Sequence, residues 1–98
     1  MLYYCAYTWH AGTTADDVRE RIVDRDQAGG NHPERIKGWY QLAGGGSGFL
    51  LVDYDDPREL TAFLQPYMDL VDFDVRAVYP LDYKQSVAEF RQQGQHTS

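Results

Sequence analysis

The chain is poor in several things, and each shortage excludes a class of protein. It has one cysteine, Cys5, so neither an intramolecular disulfide nor a CxxC metal or redox motif can form. The residue reads as a buried strand position. Basic residues are few: nine Lys and Arg against fifteen Asp and Glu leave a net charge of −6, and the nine stand singly, without a polybasic run. Such a field repels phosphate backbones and anionic lipid, so no nucleic acid and no membrane surface is expected as a partner. Long apolar runs are missing too. The longest, Gly48 to Val52, cannot cross a bilayer, and Met1 leads into a strand-like segment without a signal-peptide pattern, which makes cytoplasmic location the expectation. The three histidines, His10, His32 and His96, lie far apart, none at i, i+3 or i+4 from another, so no metal site and no cofactor are expected.

What remains has the composition of an ordinary folded domain: 98 residues, 43% hydrophobic and 24% charged, enough for one core. Leu2 to Trp9 is dense in aromatic residues and reads as a strand. Thr14 with Asp17 three residues on is a capping-box start, and Val18, Ile22 and Val23 then give an apolar stripe at helical spacing. That helix ends near Gln27, ahead of the breaker sequence Ala28 to Pro33. From Arg35 to Leu42 the residues alternate, placing Ile36, Gly38, Tyr40 and Leu42 on one strand face and Arg35, Lys37, Trp39 and Gln41 on the other. Gly44-Gly45-Gly46-Ser47 is a turn, and Phe49 to Tyr54 is its partner strand. The glycines lead into a strand rather than a helix, so a phosphate-cradling loop is not indicated.

Asp56-Pro57-Arg58-Glu59 carries an N-cap aspartate, proline at the first helical position and glutamate at N3. Leu60, Phe63, Leu64 and Tyr67 continue at helical spacing until Pro66 kinks or ends the helix. Phe73, Val75, Ala77 and Tyr79 alternate with Asp72, Asp74, Arg76 and Val78 in a fourth strand closing at Pro80. Asp82 to Gln92, with Tyr83, Val87 and Phe90 in one stripe, predicts a short third helix, and Gln93 to Ser98 a frayed tail.

The order strand, helix, strand, strand, helix, strand predicts an α+β chain: a ferredoxin-like βαββαβ sandwich over residues 1–81, followed by a C-terminal helix and tail over 82–98. Both helices would cover one sheet face. The other is left open, carrying large side chains such as Trp39, and a second copy stacked on it would make a homodimer with a cavity.

Met1-Leu2-Tyr3, Ala11-Gly12, Ile36-Lys37-Gly38-Trp39-Tyr40, Gly48-Phe49-Leu50-Leu51-Val52 and Phe73-Asp74-Val75 together resemble the small bacterial proteins grouped as domain of unknown function 3303, within the dimeric α/β-barrel superfamily. The similarity spans roughly residues 1–80. The resemblance implies this fold and a homodimer, and transfers no catalytic residue. More distant members of the superfamily include cofactor-free monooxygenases, isomerases and haem-handling proteins, so fold alone is a weak guide to function.

Trp39 beside Lys37 and Gln41 suits either the grip of a flat, polar-edged ligand or an interface between copies. Arg76 shares a face with Asp74 and can pair with it or hold a ligand anion. His32, next to Asn31 and before Pro33, is the candidate general base. The expectation is a homodimeric protein that binds a small apolar or aromatic molecule in a sheet-lined cavity through Lys37, Trp39, Gln41 and Arg76. Two alternatives stand beside it. One is a cofactor-free monooxygenase or isomerase with His32 as base; the other is a protein-interaction or regulatory module docking through Tyr83, Val87 and Phe90.

Overall fold

The first strand, β1, spans Leu2–Trp9, as the aromatic run predicts, and its burial alternates. Tyr3, Cys5 and Tyr7 are buried on one face, and Leu2, Tyr4, Ala6 and Thr8 occupy the other. The computed structural model describes residues 1–96, with side chains through Gly94. The first helix, α1, spans Ala15–Gln27. Its capping box is complete: Asp17 N donates to Thr14 Oγ1 at 3.1 Å and Thr14 N to the Asp17 carboxylate at 2.9 Å, satisfying donors that a helix start leaves free. Gly29, at φ +74°, takes the left-handed turn that ends it. Then follow a 3-10 turn (Pro33–Arg35), β2 (Ile36–Gln41) and β3 (Ser47–Asp53). The helix α2 (Pro57–Leu64) is capped by Asp56, whose carboxylate accepts from Arg58 N at 2.9 Å. A 3-10 turn at Gln65–Tyr67, where Pro66 interrupts the helix as expected, leads to β4 (Val71–Val78) and finally α3 (Tyr83–His96).

The four strands form one antiparallel sheet in the order β2-β3-β1-β4, the ferredoxin-like arrangement. Cross-strand pairs fix the faces: Tyr3, Cys5 and Tyr7 lie opposite Val52, Leu50 and Gly48 on one side and Ala77, Val75 and Phe73 on the other. This face meets the helices. Its densest part gathers Tyr3, Cys5, Val52 and Tyr54 under Leu60, Phe63 and Leu64 of α2, so α2 anchors the core. Burial pushes the Cys5 thiol up to about 11, which confirms it as an inert core residue.

Two sequence expectations change here. A bulge between Ile36 and Gly38 lets Lys37 take up an extra position, and strand alternation restarts after it. Trp39 and Gln41 therefore pair with Leu50 and Gly48 on the helix-covered face together with Ile36, instead of opposing it. Gly38 and Tyr40 go to the open face. That face is indeed aromatic, but through a different set: Tyr40 stacks on Phe49 at 5.1 Å between ring centres, and Phe49 meets Tyr4 at 5.0 Å. The second change concerns the chain end, where α3 runs through His96 rather than stopping at Gln92; residues 97 and 98 of the expected frayed tail lie outside the described residues.

The helix α3 gains little from the rest of the molecule. Tyr79, Leu81, Tyr83 and Phe90 remain exposed, and the chain extends 58 × 29 × 18 Å with a radius of gyration of 17.8 Å, against about 13 Å for a compact domain of 100 residues. A helix of this length is marginal alone in water.

Candidate ligand-binding site

α1 carries an apolar stripe, yet none of its residues is buried. Val18, Ile22 and Val23 instead form one wall of a cavity of about 580 Å³ between the helix and the sheet. Phe63, Leu64 and Tyr67 bound it from the side of α2, and Leu50, Val71 and Phe73 form much of its floor. Polar braces hold α1 over this space. The Arg21 guanidinium forks onto the Asp69 carboxylate at 2.7 and 2.9 Å and also reaches the Pro66 carbonyl. That pairing lowers the Asp69 pKa and raises that of Arg21. One residue on, the Ile22 carbonyl accepts from Asn31 Nδ2 at 3.0 Å while Tyr67 OH donates to Asn31 Oδ1 at 2.5 Å; burial raises the Tyr67 pKa.

Besides Asn31 and Tyr67, a second polar cluster stands in the mostly apolar lining. The Tyr7 ring crosses from β1 over Gly48 of β3 to reach β2, where its hydroxyl donates to Gln41 Oε1 at 2.5 Å and accepts from Trp39 Nε1 at 3.1 Å. Glycine is required beneath it: a Cβ at position 48 would lie 2.5 Å from Tyr7 Oη and 2.3 Å from the Tyr40 carbonyl oxygen. Trp9, also in the lining, has a buried indole nitrogen without a protein partner.

The structure divides the residues singled out in the sequence. Trp39 and Gln41 line the cavity and touch the same Tyr7 hydroxyl. Lys37 does not join them; it sits at the bulge, its ammonium donating to the Glu34 carbonyl at 3.2 Å. Arg76 lies on the open sheet face, opposite Tyr4, and pairs with Asp74 at 3.4 Å. His32, at φ +46°, is exposed and turns to Glu34, 3.6 Å from its carboxylate, while its neighbours Asn31 and Pro33 line the cavity. The five residues thus do not form one site. Tyr7 and Tyr67, the hydroxyl-bearing members of the lining, were absent from the sequence-based set. Tyr7 was hidden because a buried aromatic in a strand reads as core whichever way its hydroxyl points. The bulge concealed the face of Trp39.

Among the described residues, no group of three or more His, Cys, Asp or Glu side chains is placed to hold a metal ion. None of the described helices is long and apolar enough to cross a membrane.

Two solved structures share the fold. Protein Atu4242 from Agrobacterium tumefaciens is 15% identical, with a TM-score of 0.52 over 85% of this chain and 96% of that one. Rv0793 from Mycobacterium tuberculosis is 17% identical, with a TM-score of 0.50 over 83% of this chain and 95% of that one. At such identity the likeness concerns the fold alone. No curated protein matches the chain. The family model named Domain of unknown function (DUF3303) matches residues 1–93, reaching into α3 and beyond the span that the sequence resemblance covered. The chain therefore belongs to the DUF3303 family.

Proposed function

We propose that the protein binds a small, neutral, largely aromatic molecule in the cavity between α1 and the sheet, with the Tyr7, Trp39 and Gln41 cluster fixing its polar edge. The cavity itself carries this reading. It lies within the usual range of small-molecule sites, about 300–1,000 Å³, and combines apolar walls with a convergent group of hydrogen-bonding side chains. Asp26 at its border disfavours an anionic guest. Naphthalene and 1-naphthol are suitable probes, because they share an apolar body and differ by one hydroxyl. Saturable quenching of tryptophan fluorescence by both, with 1-naphthol bound more tightly and the difference lost in Gln41→Ala, is the expected result. No saturable response to either probe would reject the site.

The same reading includes a homodimer formed through the open sheet face. Its support is the aromatic row of exposed Tyr40 and half-buried Phe49 and Tyr4, which a monomer would leave in contact with water. Sedimentation equilibrium measures the subunit number directly, and a monomer at tens of micromolar would refute the pairing. Catalysis has less to support it: His32, the base that a monooxygenase or isomerase reading requires, points away from the cavity.

A further inference from the structure

A second recess lies behind the loop that closes the cavity. Along this loop Asn31, Pro33 and Ile36 face the cavity, whereas Gly30, His32, Glu34 and Arg35 face the recess, whose other walls come from Arg25, Tyr54, Glu59, Ala62 and Phe63, the last shared with the cavity. Its chemistry is unusual for so acidic a chain. Among the described residues, Arg19, Arg21, Arg58 and Arg76 are each paired with an aspartate. Arg25 and Arg35 have no carboxylate within 4.0 Å, and both are half-buried. The Arg25 guanidinium lies over Gly30, so close that a Cβ there would stand 2.1 Å from it. The Arg35 guanidinium sits 5.2 Å from the centre of the Tyr54 ring and reaches only the Asp53 carbonyl, at 3.4 Å.

Unsatisfied donors concentrate in the same place. Three buried side-chain polar atoms among the described residues have no protein partner: Trp9 Nε1, Arg25 Nε and the Tyr54 hydroxyl. Two of the three belong to residues that line this recess, and Tyr54 is only 4% exposed. An unmade hydrogen bond at a buried donor is costly, and a charged acceptor is its strongest remedy. The two carboxylates nearby do not supply it. Glu34 and Glu59 are exposed, and Glu34 turns toward His32.

We infer that this recess is a binding site for an oxyanion, the carboxylate or phosphate group of a small molecule, held between Arg25 and Arg35 with the Tyr54 hydroxyl as a third donor. Planar guanidinium groups match both anions with paired N–H donors. This site stands apart from the apolar cavity and does not depend on it.

Acetate and inorganic phosphate test the site without entering the apolar cavity. Titrated into the ¹⁵N-labelled protein at constant ionic strength, at least one should move the Gly30 amide and the Arg25 and Arg35 Nε signals along saturating curves. Arg35→Gln should weaken that binding about tenfold or more, as expected for loss of a charged hydrogen-bonded pair, and Arg35→Lys should restore part of it. Tyr54→Phe offers a second readout. It removes a hydroxyl without a partner, so the ligand-free protein should melt no lower than the parent while the anion binds less tightly. Linear shifts spread equally over Arg58 and Arg76, no shift with either anion, or saturable binding unchanged in both Arg35→Gln and Arg25→Gln would overturn the assignment.

Discussion

Gly48→Ala adds a single methyl group at the point where three strands depend on its absence. The new Cβ would meet the Tyr40 carbonyl oxygen at 2.3 Å, Tyr7 Oη at 2.5 Å and Tyr7 Cζ at 2.8 Å. The carbonyl belongs to the backbone of the neighbouring strand, so β2 must shift; the phenol can swing away, but only by releasing both Gln41 and Trp39. Overpacking of this kind costs about 1–3 kcal/mol. The two lost hydrogen bonds add about 1 kcal/mol together, at the low end because Trp39 and Gln41 are exposed enough for water to replace Tyr7. Reduced freedom of the unfolded chain offsets about 0.4–1 kcal/mol. The net loss is about 1–4 kcal/mol, centred on about 2, which at its centre should lower the urea midpoint by about 1–2 M for a domain of this size. Tyr7→Phe isolates the hydroxyl: it keeps the ring and removes both bonds, so its cost should be about 1 kcal/mol. If Gly48→Ala proves no more harmful than Tyr7→Phe, steric crowding is not what position 48 avoids, and the account of the Tyr7 cluster fails.

Further consequences concern charge, the thiol and assembly. His10 donates from Nε2 to the Asp72 carboxylate at 2.9 Å, and this bond is the main cause of its raised pKa. Its contribution to stability is therefore full below the ordinary histidine value and is lost as pH rises through the folded value; Asp72→Asn should flatten that part of a melting-temperature profile between pH 5 and 9. Asp69 has the opposite sign. Its pKa is lowered, chiefly by Arg21, so its contribution is present above the ordinary carboxylate value and lost as pH falls through the folded one, a dependence that Arg21→Leu should abolish below pH 4. Cys5, fully buried with its pKa at about 11, should react with a disulfide reagent at pH 8 only at the rate of unfolding; immediate labelling in native buffer would contradict its place in the core. Phe49→Glu, on the open sheet face, should turn the proposed dimer into a monomer in sedimentation equilibrium, and a persistent dimer would put the interface elsewhere.

Much of this architecture was readable from local chemistry. Thr14 and Asp17 announce α1, Asp56 and Pro57 announce α2, and the alternation of β4 puts Asp74 and Arg76 on one face. Lys37 shows the limit. A period of two carries face assignments along a strand only while the register is unbroken, and a bulge moves every later residue to the opposite side. Gly38 is the signal, because a lone glycine inside a strand pattern suggests a bulge, but it does not fix which residue becomes the extra one. The stripe of α1 shows another limit, since Val18, Ile22 and Val23 have the same spacing whether they pack tightly on a sheet or stand over a cavity. His32 illustrates a third: the loop sends adjacent residues to opposite sides, so proximity in sequence to Asn31 says nothing about sharing its site.

The way α1 is held gives the cavity its significance. A helix that contributes no buried residue adds little hydrophobic stabilisation, and such a helix ordinarily settles onto the sheet until the gap closes. Here its position is set by directional bonds at the middle of the helix: Arg21 to Asp69 and Pro66, and the adjacent Ile22 carbonyl to Asn31, which also accepts from Tyr67. These bonds fix a distance, whereas apolar packing would minimise it. Breaking one of these bonds should therefore change cavity and stability in different proportions. Asn31→Ala removes the link between α1 and Tyr67 and leaves the α2 core untouched, so the loss of stability should be about 1–2 kcal/mol, while affinity for 1-naphthol should fall with the order of the wall. Amide hydrogen exchange separates the outcomes: faster exchange confined to α1 and the loop after it supports a braced wall, and uniform acceleration through β1 and β3 would mean that Asn31 serves the core instead.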